Sequence, residues 1–162
     1  MIEKAERVIN LLIEQKEQIA TMESCTGGGL ANVLTNIPGA SEALLYSAVT
    51  YSNEYKIKMG VPEETIEKYT VYSMETATEM AKAISDFAHS DYGVGITGKL
   101  KRSDPNNITE NDDLVYYAIY DKNKDSFYKD SLYVTKENRF ENKDMVIERI
   151  LDSLQQILKK KN

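Results

Sequence analysis

The sequence predicts a three-layer α/β/α domain built on a mixed sheet, and three features predict it. Short β-prone runs alternate with helical stripes as far as Gly98, the pattern of an α/β layer architecture. Two alternating runs follow on either side of the polar turn Asp121-Lys122-Asn123-Lys124-Asp125, as in an antiparallel hairpin, which makes the sheet mixed. The length of 162 residues suffices for one full core, and no linker or internal repeat divides it. One domain over residues 1–162 is the expected organisation.

The elements follow in order. Residues 2–18 carry Ile2, Ala5, Val8, Ile9, Leu11, Leu12 and Ile13 as an apolar stripe with a polar back, which predicts a helix. Residues 19–22 form a short strand that delivers the chain to Glu23-Ser24-Cys25-Thr26-Gly27-Gly28-Gly29. Thr26 is placed to cap a helix over 27–36, which Pro38-Gly39 ends ahead of a loop carrying Ala40 and Ser41. Residues 44–51 make the second strand. A short helix over 54–59 stops at Gly60, and Pro62 opens another that runs to Tyr69. Ser73 precedes the long alanine-rich helix that ends at His89, and residues 92–97 form a buried strand. Residues 99–113 are the most polar stretch and read as a surface loop. The hairpin strands are 114–120 and 126–135, and an amphipathic helix over 144–160 closes the fold.

Composition narrows the function. Twenty Lys and Arg stand against 26 Asp and Glu, a net charge of −6, so the basic footprint of a nucleic-acid binder is missing. A local phosphate site stays open, since backbone amides and one or two cations hold a small anion. The single cysteine, Cys25, rules out an internal disulfide and a multi-cysteine metal site. The single histidine, His89, sits at a helix end, where it complements the helix dipole. Neither a signal peptide nor an apolar run long enough to cross a membrane is evident, so a cytoplasmic protein is expected, and Asn107-Ile108-Thr109 reads as an idle glycosylation pattern.

Two stretches could carry chemistry. The glycine turn lacks both the Walker and the G-x-G-x-x-G spacing. It reads either as a tight turn packing a helix on the sheet, or as an anion site made by Ser24, Thr26 and the amides of Gly27 and Gly28. Downstream, Ser41, Tyr51 and Lys56 are individually ordinary, and together they could form a histidine-free hydrolase site. That requires Lys56 to lose its proton near neutral pH, through burial or a neighbouring positive charge.

Several motifs in fixed order carry a resemblance. Glu23-Ser24-Cys25-Thr26-Gly27-Gly28, Pro38-Gly39-Ala40-Ser41, Val49-Thr50-Tyr51-Ser52-Asn53-Glu54-Tyr55-Lys56, Gly60-Val61-Pro62, Val71-Tyr72-Ser73-Met74-Glu75 and Ile96-Thr97-Gly98 resemble the CinA C-terminal-domain family, which includes stand-alone nicotinamide-nucleotide amidohydrolases. The resemblance implies hydrolysis of the carboxamide of nicotinamide mononucleotide through an acyl-enzyme, with Ser41 as nucleophile, Lys56 as general base and Tyr51 assisting. It implies a pocket lined by Ser24, Thr26, Gly27, Gly28, Thr97 and Gly98, and needs neither metal nor other cofactor. The implied partner is a small pyridine nucleotide rather than nucleic acid or membrane, and the expected assembly is a homodimer. Two departures stand out. Lys99-Leu100-Lys101-Arg102 replaces the family's Ile-Ala-Gly-Pro after Gly98, and Asn142-Lys143-Asp144 stands for its Gly-Asp-Arg. Arg139 or Lys143 is left to supply the missing cation, and a nucleotide-binding module with weakened turnover is the alternative function.

Overall fold

The chain folds in a computed structural model that describes residues 1–102, 105 and 111–161. Its helices are α1 (Ile2–Gln15), α2 (Gly29–Thr35), α3 (Asn53–Lys58), α4 (Glu63–Tyr69), α5 (Met74–Ala88) and α6 (Arg139–Lys159). Its strands are β1 (Ile19–Glu23), β2 (Leu44–Val49), β3 (Tyr92–Gly98), β4 (Leu114–Asp121) and β5 (Ser126–Tyr133). They form one sheet in the order β2-β1-β3-β4-β5. β1 is parallel to both β2 and β3, whereas β3, β4 and β5 pair antiparallel, so the sheet is mixed as the sequence predicts. The Asn107-Ile108-Thr109 pattern and most of the expected polar loop lie outside the described residues.

Alternation along β3 shows how the layers stack. Tyr92, Val94 and Ile96 point to the face covered by α1, α2 and α6, where they join Val8, Leu12, Leu30, Ile147 and Leu151 in the main core. Gly93 and Gly95 point to the other face, where α5 lies directly on the sheet. A Cβ at Gly93 would run into the Ala81 carbonyl, and one at Gly95 into the carbonyl of Ala77 and, at 2.6 Å, the nitrogen of Ala81. These obstacles are helix backbone and cannot rotate away. We therefore expect Gly95→Ala to lower stability by at least the upper end of the ~1–3 kcal/mol typical of overpacking, read as a shift of the urea midpoint at unchanged slope.

Two helix starts differ from expectation. Gly27 and Gly28 adopt φ +60° and +92°, which no helix contains, so α2 begins only at Gly29. Thr26 does not cap it. The buried Glu23 carboxylate does, accepting from the amides of Leu30 and Ala31 at 3.0 Å each and from the Thr26 hydroxyl at 2.6 Å. At the other end of the chain, α6 begins at Arg139 and not at Asp144. Asn138 caps it by accepting from the Glu141 amide at 2.9 Å. Asn142, buried, ties the approach by bonding both the amide and the carbonyl of Lys136. Among the described residues, no helix is long and apolar enough to cross a membrane.

Candidate active site

Parallel pairing of β1 with β2 and β3 sends all three carboxyl ends to one edge of the sheet. The connection after β1 runs over one face through α2, and the connection after β2 returns over the other through α5. Their divergence opens a crevice at the ends of β1 and β3, the place where open α/β sheets bind ligands. A cleft of about 330 Å³ lies there, with Ser24 and Cys25 after β1, Gly98 at the end of β3, Lys99 and Leu100 just beyond it, and Tyr51, Tyr72, Arg102 and Arg139 around them.

Lys56 lies beneath this cleft, and its side chain is the unusual feature. It projects inward from α3, which Ser52 caps by accepting from the Tyr55 amide. Only 2% of Lys56 is exposed. Its Nζ donates to the Thr50 carbonyl at 2.8 Å and to Ser24 Oγ at 3.2 Å. None of the ion pairs among the described residues uses it. Burial without a carboxylate partner disfavours the ammonium form and lowers the Lys56 pKa to about 8. Ser24 is itself fixed, its amide bonding the Ile96 carbonyl at 3.1 Å as an extension of the β1–β3 ladder.

The grouping of Ser41 with Tyr51 and Lys56 does not form. Ser41 lies in a 3-10 turn at Ala40–Glu42, ahead of β2, and Lys56 follows the far end of that strand. Six residues of β2 separate the two ends, about 20 Å at the usual rise per residue. The hydroxyl that meets Lys56 is Ser24, which the sequence assigned to the pocket wall. Tyr51 stands at the rim, 65% exposed, with its hydroxyl 3.5 Å from Arg139 Nη2.

The remaining expected pocket residues divide. Ser24 and Gly98 line the cleft. Thr26 is turned onto Glu23, and the buried Thr97 hydroxyl donates to the Val71 carbonyl at 2.6 Å, so both hydroxyls hold structure together. The Gly27 amide is taken by the Ser24 carbonyl at 2.9 Å, which shapes the turn around Ser24 and leaves that amide unavailable to an anion. Gly28 contributes its φ of +92° to the same turn. Cys25, next to Ser24, is kept protonated: burial, with the Glu23 carboxylate nearby, pushes its thiol up to about 12.

Cations dominate the cleft even though the chain is acidic. Arg102 and Arg139 line it, and Lys99 adds a third charge, buried beside Tyr72 and paired with Asp112 at 3.0 Å. Arg139 is the first residue of α6 and lines the cleft, so of the two cations left to stand for the absent Gly-Asp-Arg arginine it is the one on the cleft wall. Lys143 reaches the glycine turn, its Nζ 3.3 Å from where a Cβ on Gly27 would sit. The Asn138–Glu141 capping pair was the sequence signal that would have placed this helix start correctly. Among the described residues, no group of three His, Cys, Asp or Glu is arranged to hold a metal ion.

This architecture has known counterparts. The family model described as the CinA C-terminal domain matches residues 2–158. A protein of Clostridium botulinum named as competence-damage inducible is 41% identical over 157 residues, which cover 95% of this chain and 37% of that protein. A CinA-like protein of Desulforapulum autotrophicum is 45% identical over 94 residues, 57% of this chain and 22% of the relative. The chain thus spans well under half the length of these curated relatives. Among solved structures, a CinA superfamily protein of Klebsiella pneumoniae superposes with a TM-score of 0.89 at 22% identity, over 98% of both chains. The competence/damage inducible protein CihA of Agrobacterium tumefaciens gives 0.87 at 27% identity, over 98% of this chain and 94% of that one.

Proposed function

Because this chain belongs to the CinA C-terminal-domain family, we propose that it hydrolyses the carboxamide of nicotinamide mononucleotide to nicotinate mononucleotide and ammonia. The observation that carries the reading is the contact of 3.2 Å between the buried, weakly basic Lys56 and Ser24 at the wall of a cationic cleft. A lysine held near neutrality can accept the serine proton, the arrangement of histidine-free serine hydrolases.

In this reading Ser24 Oγ attacks the carboxamide carbon while neutral Lys56 takes its proton. The resulting ammonium returns that proton to the departing nitrogen, which leaves as ammonia, and an ester on Ser24 remains. Water then attacks the ester with Lys56 again as base, releasing the nicotinate product and restoring the Ser24 hydroxyl. Arg102 and Arg139 supply the charge complementary to the nucleotide phosphate, and a guanidinium can meet a phosphate with two parallel hydrogen bonds. Tyr51, bonded to Arg139, borders the entrance and fits a role in orienting the ligand better than one in relaying protons to Lys56.

The test is ammonia release from a panel of pyridine nucleotides by the purified chain. The expected result is turnover of nicotinamide mononucleotide and little from nicotinamide riboside, which lacks the phosphate. Stabilisation by the nucleotide in a thermal-shift measurement without ammonia would assign a binding module instead. Neither turnover nor stabilisation by a folded sample would overturn the reading.

A further inference from the structure

Phe140 belongs to the buried stripe of α6 and is nevertheless 67% exposed. Ile147, Leu151, Leu154 and Leu158 follow it by 7, 11, 14 and 18 residues, the spacings that return to one face of a helix, and all four are buried. The core-facing stripe therefore continues about 10 Å past Ile147, at the usual rise per residue, and ends in an uncovered ring.

Its surroundings restrict what can cover it. Ile147 packs on the glycine turn, where a Cβ on Gly29 would meet its Cδ1 at 2.7 Å, and Lys143 reaches the same turn at Gly27. Phe140 thus stands beyond that turn, next in the chain to Arg139 of the cleft wall. Val49, 50% exposed, lies 3.3 Å from where a Cβ on Gly28 would sit, and the exposed Tyr51 holds its hydroxyl against Arg139. Together they make an apolar, largely aromatic ledge at the mouth of the cleft, with the exposed backbone of Gly27 beside it. Positive charge adjoins the ledge. None of the ion pairs among the described residues uses Arg102, Arg139 or Lys143, although acids outnumber bases in this chain. One guanidinium can grip one phosphate through two parallel hydrogen bonds. Arginines on separate elements, one after β3 and one opening α6, suit a ligand with two phosphate groups.

We propose that this ledge binds the purine nucleoside of a pyridine dinucleotide whose nicotinamide end occupies the cleft. The cleft of about 330 Å³ takes the nicotinamide half. Outside it the purine stacks on Phe140, a contact open to any base because every base has a flat π-face. The diphosphate lies between the two, on Arg102 and Arg139. The inference rests on the amidohydrolase reading for which end of the ligand enters the cleft. On that reading water cleaves the dinucleotide carboxamide through Ser24, giving the nicotinate dinucleotide and ammonia.

The test compares nicotinamide mononucleotide with nicotinamide adenine dinucleotide on wild type, Phe140→Ala and Phe140→Tyr, by ammonia release and by thermal shift. The dinucleotide is expected to be turned over, or to inhibit turnover of the mononucleotide competitively. Phe140→Ala is expected to raise its KM or inhibition constant about 5- to 150-fold, the scale of one lost base–aromatic stack, and to leave the mononucleotide KM unchanged. Phe140→Tyr keeps the stacking face and is expected to restore the wild-type value. Because Phe140 is exposed, its truncation leaves the fold intact. Mononucleotide turnover that the dinucleotide neither joins nor inhibits would refute the inference and leave the amidohydrolase reading standing. A Phe140→Ala variant that shifts both ligands alike, or neither, in either readout would refute it as well. If neither nucleotide is turned over, the reaction fails, and dinucleotide stabilisation that Phe140→Ala abolishes still establishes the ledge as a binding site. Stabilisation by neither nucleotide would sink both.

Discussion

Ser24→Ala is expected to abolish ammonia release from nicotinamide mononucleotide, a loss of at least about 1,000-fold in kcat, the scale seen when a nucleophile is removed from a serine hydrolase. Ser41→Ala is expected to keep kcat within a few-fold. The contrast follows from position. Ser24 Oγ is the hydroxyl within hydrogen-bond reach of Lys56, at 3.2 Å, and Ser41 of the same chain lies beyond the full length of β2. Because Ser24 is held at the end of β1 by its own backbone, truncating the side chain leaves the fold intact, and the variant still binds nucleotide in a thermal-shift measurement. A Ser41→Ala variant without turnover beside an active Ser24→Ala variant would transfer the nucleophile role to Ser41.

Why Ser41 does not meet Lys56 within one chain is a matter of topology. Ser41, Tyr51 and Lys56 are close in sequence, and closeness in sequence suggests one site. A strand lies between them, and a strand carries the chain from one edge of the sheet to the other. Once β1 and β2 are known to be parallel, the residue after β1 and the helix after β2 must share an edge, and the turn before β2 must be at the opposite one. That information resides in strand pairing, which periodicity does not encode. The layer architecture and the mixed sheet were legible, because alternation and helical stripes report directly on burial. The glycines of β3 were legible as a strand but not as the seat of α5, since their meaning depends on which helix lies above them. The role of Glu23 was hidden for a related reason. A buried carboxylate is costly unless paired, and its donors, the amides of Leu30 and Ala31, exist only once the chain has turned at Gly27 and Gly28.

Lys56→Met is expected to change activity and the pH dependence of stability together, and the sign of each is fixed by the lowered pKa. The base form of Lys56 is the neutral amine, so the rate should climb with pH and level off above about 8. Removing the amine should cost about 100- to 10,000-fold and eliminate that ascending limb, leaving a nearly flat residual rate. For stability, the folded-state pKa lies below the ordinary lysine value of 10.5, so between about pH 8 and 10.5 the unfolded chain binds more protons than the folded one. Wild-type stability therefore gains from this group as pH rises through that window, and carries the full penalty below it. A shift of this size corresponds to about 3 kcal/mol. Methionine carries no such penalty, although it leaves the Thr50 carbonyl without its donor, a cost of about 1–3 kcal/mol that does not vary with pH. The stability of Lys56→Met relative to wild type should accordingly fall by about 3 kcal/mol between pH 7 and pH 10.5, measured by urea denaturation at each pH. Parallel pH profiles for the two proteins would show that Lys56 is charged in the folded state throughout, and a permanently charged lysine could not serve as the base for Ser24.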